Sequence, residues 1–83
     1  VPIGDRTDLK YLTFVELDPE GRRTKVYSIY GRGLDMLLGY IRFRPQWRCY
    51  VFHPEHHTLF DIKCLRDISE FIEAQNTAWK ATL

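Results

Sequence analysis

Arg48-Cys49-Tyr50-Val51-Phe52-His53 and, a short loop later, Asp61-Ile62-Lys63-Cys64-Leu65-Arg66-Asp67-Ile68-Ser69-Glu70-Phe71-Ile72 decide the fold class. The first run is made of strand formers. In the second the apolar period changes from 2 to 3.6. Leu65, Ile68, Ile72 and Gln75, flanked by Cys64 and Phe71, then share one stripe of an amphipathic helix. Asp61 stands where an N-cap is wanted, and Phe60 before it can staple onto Leu65. Arg66, Asp67, Glu70 and Glu73 supply the wet face, and fraying is expected near Asn76-Thr77.

Working back from there, His53-Pro54-Glu55-His56-His57 reads as a loop, because Pro54 and the polar cluster stop the ladder. Leu37 to Phe43 and Arg48 to His53 are two strands around Arg44-Pro45-Gln46-Trp47. Gly31-Arg32-Gly33 breaks the chain. Before it, Tyr11 to Leu17 and Lys25 to Tyr30 form a first hairpin around Asp18-Pro19-Glu20-Gly21, where Pro19 presets φ and Gly21 takes the left-handed position. Residues 1–8 read as a flexible lead-in to a single domain over 9–83. The expectation is an α+β fold: a four-stranded antiparallel sheet of two hairpins followed by one C-terminal amphipathic helix, ββββα.

One helix covers one face of such a sheet, so the other should be polar if it meets water. It is not. A three-residue Pro19-Glu20-Gly21 loop puts Leu12, Phe14, Val26 and Tyr30 on one face, with Tyr11, Val15, Leu17, Tyr27 and Ile29 on the other. In the second hairpin Pro45 is unsuited to a two-residue primed turn, and an odd loop forces Trp47 left-handed. An odd loop would also move Tyr50 and Phe52 out beside the arginines. The favoured even, four-residue loop registers Ile41 and Phe43 with Tyr50 and Phe52 under the helix. Tyr40, Arg42 and Arg44 then lie with Cys49 and Val51 on the far side, which calls for a cover: a second copy, the N-terminal tail or a ligand.

A net charge of +1 gives no global pull on nucleic acid or anionic lipid, so such binding would need a local patch. No apolar run reaches the roughly 18 residues of a membrane span. Val1-Pro2-Ile3-Gly4-Asp5 lacks the basic end and apolar stretch of a signal peptide, and two cysteines are too few for a stapled scaffold. A cytoplasmic chain with free thiols is expected.

Aromatics interleaved with arginines on a sheet suit single-stranded nucleic acid, with bases stacking on rings and guanidiniums tracking phosphates. Tyr40, Arg42, Arg44, Trp47 and Arg48 form that set, with Arg22, Arg23 and Lys25 extending it. The plainer reading is arginine stems lying over apolar sheet. His53, His56 and His57, near Glu55, Asp61, Cys49 and Cys64, lack the spacing of any zinc motif, so no metal is expected. Cys64 falls in the first helical turn, where the dipole lowers a thiol pKa, but it borders the apolar stripe as a packed thiol would. No nucleophile elbow, phosphate-cradling loop or paired catalytic carboxylates appear. Neither enzyme activity, nor a cofactor, nor a small-molecule substrate is expected.

Leu38-Gly39-Tyr40-Ile41, Trp47-Arg48-Cys49-Tyr50-Val51-Phe52-His53-Pro54 and Cys64-Leu65-Arg66-Asp67-Ile68 … Phe71-Ile72 resemble a group of small uncharacterised bacterial and phage-type proteins. The shared pattern is L-G-x-I … W-R-x-Y-x-F-x-P … C-L-x-D-I-x-x-F-I. The resemblance covers less than half of the chain and implies a phage or mobile-element setting, with no assigned activity. The ββββα order is also similar to that of dimeric transcriptional coactivators whose sheets bind single-stranded DNA, a likeness of fold alone. The leading expectation is an interaction module that forms a homodimer through its sheet, with Trp47, Tyr40 and Val51 as contacts. The alternative is single-stranded nucleic-acid binding by Tyr40, Arg42, Arg44, Trp47 and Arg48.

Overall fold

The computed structural model describes residues 3–17 and 24–83. Strands β1 (Ile3–Asp8), β2 (Leu12–Leu17), β3 (Val26–Gly31), β4 (Leu37–Arg44) and β5 (Cys49–Pro54) precede the helix α1 (Ile62–Lys80). They form an antiparallel sheet in the order β1-β2-β3-β4-β5. The α+β class and the C-terminal helix agree with the sequence reading. The strand count does not: the described residues form five strands, not four.

The added strand lies in the stretch read as lead-in. Ile3–Asp8 is mostly charged and small residues, so its place comes from the ladder to β2, with Arg6 opposite Val15 and Asp8 opposite Thr13. A charged strand suits a sheet edge, where it discourages pairing with other chains. The Asp18-Pro19-Glu20-Gly21 turn lies outside the described residues, but the register on either side of it is fixed. Leu17 pairs with Val26 and Phe14 with Ile29. This parity is opposite to that of the three-residue loop, and a one-residue slip reverses a strand. Tyr27 and Ile29 therefore join Leu12 and Phe14 under the helix, while Val26 and Tyr30 face away.

The second hairpin follows the four-residue reading. Arg44 pairs with Cys49, Phe43 with Tyr50 and Ile41 with Phe52. Arg48 takes the left-handed conformation at φ 54°, which leaves Trp47 free of that strain. The turn closes with Arg48 N–H donating to Arg44 O at 2.9 Å and Trp47 N–H to the same oxygen at 3.1 Å.

The core sits between the sheet and α1. Leu12, Phe14, Tyr27, Ile29, Ile41, Tyr50, Ile68 and Phe71 are buried together. Phe71 stacks on Phe14 at 4.1 Å and meets Tyr27 edge-on at 4.7 Å. Burying side chains such as Ile68 and Phe71 stabilises by about 1.5–3 kcal/mol each. The helical stripe is rotated from the expected one: Leu65 is 43% exposed, whereas Phe71 lies at the centre. Asp61 caps the helix as expected, its Oδ1 accepting from Cys64 N at 2.9 Å. Phe60 meets Phe52 edge-on at 5.0 Å.

Two polar residues correct the sequence reading of α1. Asp67, assigned to the wet face, is 6% exposed; its Oδ2 accepts from Tyr11 N–H at 2.7 Å and Leu12 N–H at 3.2 Å. It thus anchors the start of β2. Asn76, where fraying was expected, accepts from Tyr50 N–H at 2.7 Å and so covers part of the β5 edge. Trp79 packs on Phe43 at 4.7 Å, and Tyr27 Oη donates to Gln75 Oε1 at 2.7 Å. These tertiary contacts carry the helix on to Lys80, because packing, more than propensity, holds most helices.

Candidate nucleic-acid interface

The registers assign residues to the open face of the sheet, opposite α1. One row runs across all five strands: Arg6, Val15, Ser28, Tyr40 and His53. Beside it lie Arg42 with Val51 and Arg44 with Cys49. Alternation along β4 therefore puts Tyr40, Arg42 and Arg44 on one side, as the sequence indicated.

Arginines and rings meet there in two pairs. The Arg42 guanidinium lies over the Tyr40 ring at 5.2 Å, and that of Arg44 over Trp47 at 4.6 Å. Trp47 is 66% exposed. The ion pairs among the described residues are Arg6–Asp8 at 3.2 Å and Lys25–Glu16 at 3.3 Å. Among the described residues, Arg42 and Arg44 thus keep their donor forks free of carboxylates. Arg48 leaves the set. The left-handed turn carries its guanidinium over Trp79 of the helix at 5.8 Å, on the other side of the sheet. Lys25 is held by Glu16 and does not join the face, and Arg22 and Arg23 lie outside the described residues.

A groove of about 620 Å³ opens on this face, lined by Ser28, the cross-strand neighbour of Tyr40. Its floor includes Thr13, Val15 and Ser28, and Arg6, Tyr30, Leu34 and Asp35 are among its walls. Ser28 is only 2% exposed although it faces away from the helix, and its Oγ donates to Val15 O at 3.4 Å. Leu34 leans on Gly31, where an added Cβ would lie 3.0 Å from its Cδ1. At the β1 side Asp8 Oδ1 accepts from Thr13 Oγ1 at 2.5 Å. That bond, followed by the bond and charge of Arg6, holds the Asp8 carboxyl below its ordinary pKa. Sequence reasoning missed this groove because β1 was not read as a strand. The alternation of Arg6 and Asp8 was the available signal.

Compared with known proteins, the chain is 31% identical over 68 residues to an uncharacterised 9.3 kDa protein of Acholeplasma phage L2. The match spans 82% of this chain and 87% of the relative. The chain belongs to the family of that phage protein. No family model matches it, and no solved structure matches. Membership agrees with the phage-type setting that the sequence resemblance implied; the relative's description assigns the family no activity.

The remaining sequence candidates do not converge. His53 sits on the open face beside Tyr40, whereas His56 and His57 occupy a tight turn with His57 at φ 61°. Among the described residues no group of three or more His, Cys, Asp or Glu side chains could hold a metal ion. Burial pushes the Cys64 thiol pKa up, helped by the Asp61 carboxylate, so its environment outweighs the helix dipole. Cys49 and Cys64 are both free thiols. Among the described residues no helix is long and apolar enough to cross a membrane.

Proposed function

We propose that this phage-family chain is a non-catalytic binder of single-stranded nucleic acid, working through the open face of its sheet. The observation that carries the reading is the side-by-side arrangement of Arg42 on Tyr40 and Arg44 on Trp47, both guanidiniums free of carboxylates. Rings hold the guanidinium planes in place, so less side-chain freedom is lost when they meet phosphate. The exposed Trp47 offers a further surface for a base, and base–aromatic stacking contributes about 1–3 kcal/mol.

Fluorescence anisotropy with labelled single-stranded and duplex oligonucleotides, in a salt series, tests the proposal. Two phosphate contacts predict a log–log salt slope of about −1.4 for a single strand, to which Arg42→Ala/Arg44→Ala would bring a near-complete loss. No binding at low salt, or affinity indifferent to salt, defeats the reading. A second reading, self-association, is favoured by the exposed Leu59, Ile62 and Leu65 around the start of α1. Light scattering over a concentration series separates the two, and a strict monomer at high concentration removes the second.

A further inference from the structure

Resting on the nucleic-acid reading, the geometry points to the groove beside Tyr40 as a base subsite that selects guanine in a single strand. The groove neighbours the arginine–ring pairs, since Ser28 in its lining is the cross-strand neighbour of Tyr40. A strand passing Arg44 and Arg42 reaches it next. Its volume of about 620 Å³ and its floor of Thr13, Val15 and Ser28 leave room for a flat ring, with Tyr30 at hand to stack on it.

The charges on its walls narrow the choice. Asp35 comes from the β3–β4 loop and Arg6 from β1, and both line the groove. Arg6 has only its Nε committed, to Asp8. Asp35 takes part in neither ion pair of the described residues. A carboxylate on a phosphate-binding face repels the backbone, so it gains only by meeting a base edge. Guanine alone presents two adjacent N–H donors, at N1 and N2, which match the two oxygens of a carboxylate. Its O6 and N7 acceptors are the usual targets of an arginine. Thymine and uracil offer one N–H between two carbonyls, which a carboxylate disfavours. The pairing of Asp35 with Arg6 therefore complements guanine best.

The experiment compares a labelled thymidine oligomer with the same oligomer carrying one central guanine, against wild type, Asp35→Asn and Arg6→Ala. Asp35 is exposed in a loop, and a thermal melt confirms that each variant folds. The expected result is about tenfold tighter binding of the guanine oligomer by wild type. Asp35→Asn should abolish that preference while its affinity for the thymidine oligomer stays level or rises. Arg6→Ala should reduce the preference. Equal binding of both oligomers by wild type, or a preference untouched by Asp35→Asn, overturns the subsite and leaves the general reading standing. Failure of both oligomers to bind overturns both readings. Guanosine monophosphate serves as competitor: displacement at concentrations equal to the oligomer's own would make a free nucleotide the ligand and overturn the assignment to a strand.

Discussion

Replacing Asp67 by alanine should remove a large share of the folding free energy. The carboxylate is buried and accepts from two successive backbone N–H groups, Tyr11 at 2.7 Å and Leu12 at 3.2 Å. Each donor left without an acceptor costs about 1–3 kcal/mol when buried. Leu12 is almost wholly buried, so little water can substitute there. A total of about 3–5 kcal/mol is expected, against roughly 4–12 kcal/mol for a chain of this length. Asp67→Asn keeps one acceptor oxygen, and should lose only about 1–2 kcal/mol. That corresponds to a fall in Tm of about 4–16 °C. Urea unfolding followed by circular dichroism measures both variants, with the m-value of the asparagine variant expected to match wild type. If Asp67→Ala lies within about 0.5 kcal/mol of wild type, the reasoning that α1 anchors the start of β2 through this side chain is refuted.

Gly39→Ala would place a Cβ 2.5 Å from His53 O and 2.9 Å from the Phe52 ring. The β4–β5 hairpin must then shift at a cost of about 1–3 kcal/mol, read by the same unfolding assay. Asn76→Ala removes the acceptor for Tyr50 N–H, so hydrogen exchange at Tyr50 should accelerate with a loss of about 0.5–1.5 kcal/mol. In acid, Asp61 and Asp8 should matter. Bonds from the Cys64 backbone lower the pKa of Asp61 and the Thr13 hydroxyl lowers that of Asp8, so their contribution is present above the ordinary carboxylate value of 3.8. It disappears as pH falls through the depressed values, and Asp61→Asn should flatten that acid limb in melts from pH 6 to 2. Cys64, its pKa raised above 9.0 mainly by burial, should react with iodoacetamide at pH 8 more slowly than a free thiol does.

Local chemistry made part of this fold legible. Pro45 restricts its turn, and the even loop that it favours places Ile41, Phe43, Tyr50 and Phe52 under the helix, as observed. Asp61 before an apolar-periodic run is a cap wherever it occurs. What the sequence hid depends on distant partners. Val26-Tyr27-Ser28-Ile29-Tyr30 has large apolar groups at both parities, so only the ladder decides which of them are covered. Asp67 sits among Arg66, Glu70 and Glu73 and looks solvated until Tyr11 and Leu12 are brought to it. Arg48 shared a pattern with Arg42 and Arg44, but a left-handed backbone, rare outside glycine, sent it to Trp79. Within the candidate interface, Tyr40, Arg42 and Arg44 were visible from strand alternation and Trp47 from the turn beside them, whereas Arg6 and Asp35 required β1 and the groove beside it.

The strand order has a consequence for how the chain is made. Each strand pairs with the strand before it in sequence, so the sheet can form stepwise from near neighbours, with small loop-closure costs. The helix works differently: Asp67 reaches back to Tyr11 and Leu12, and Asn76 to Tyr50. On the ribosome α1 emerges after all five strands. Until it does, Phe14, Tyr27, Ile29 and Ile41 lack the cover of Ile68 and Phe71. The nascent chain therefore passes through an interval in which a complete ladder carries a bare apolar face, when it is most open to chaperones or to aggregation. A chain stopped at residue 61 would be held in that interval.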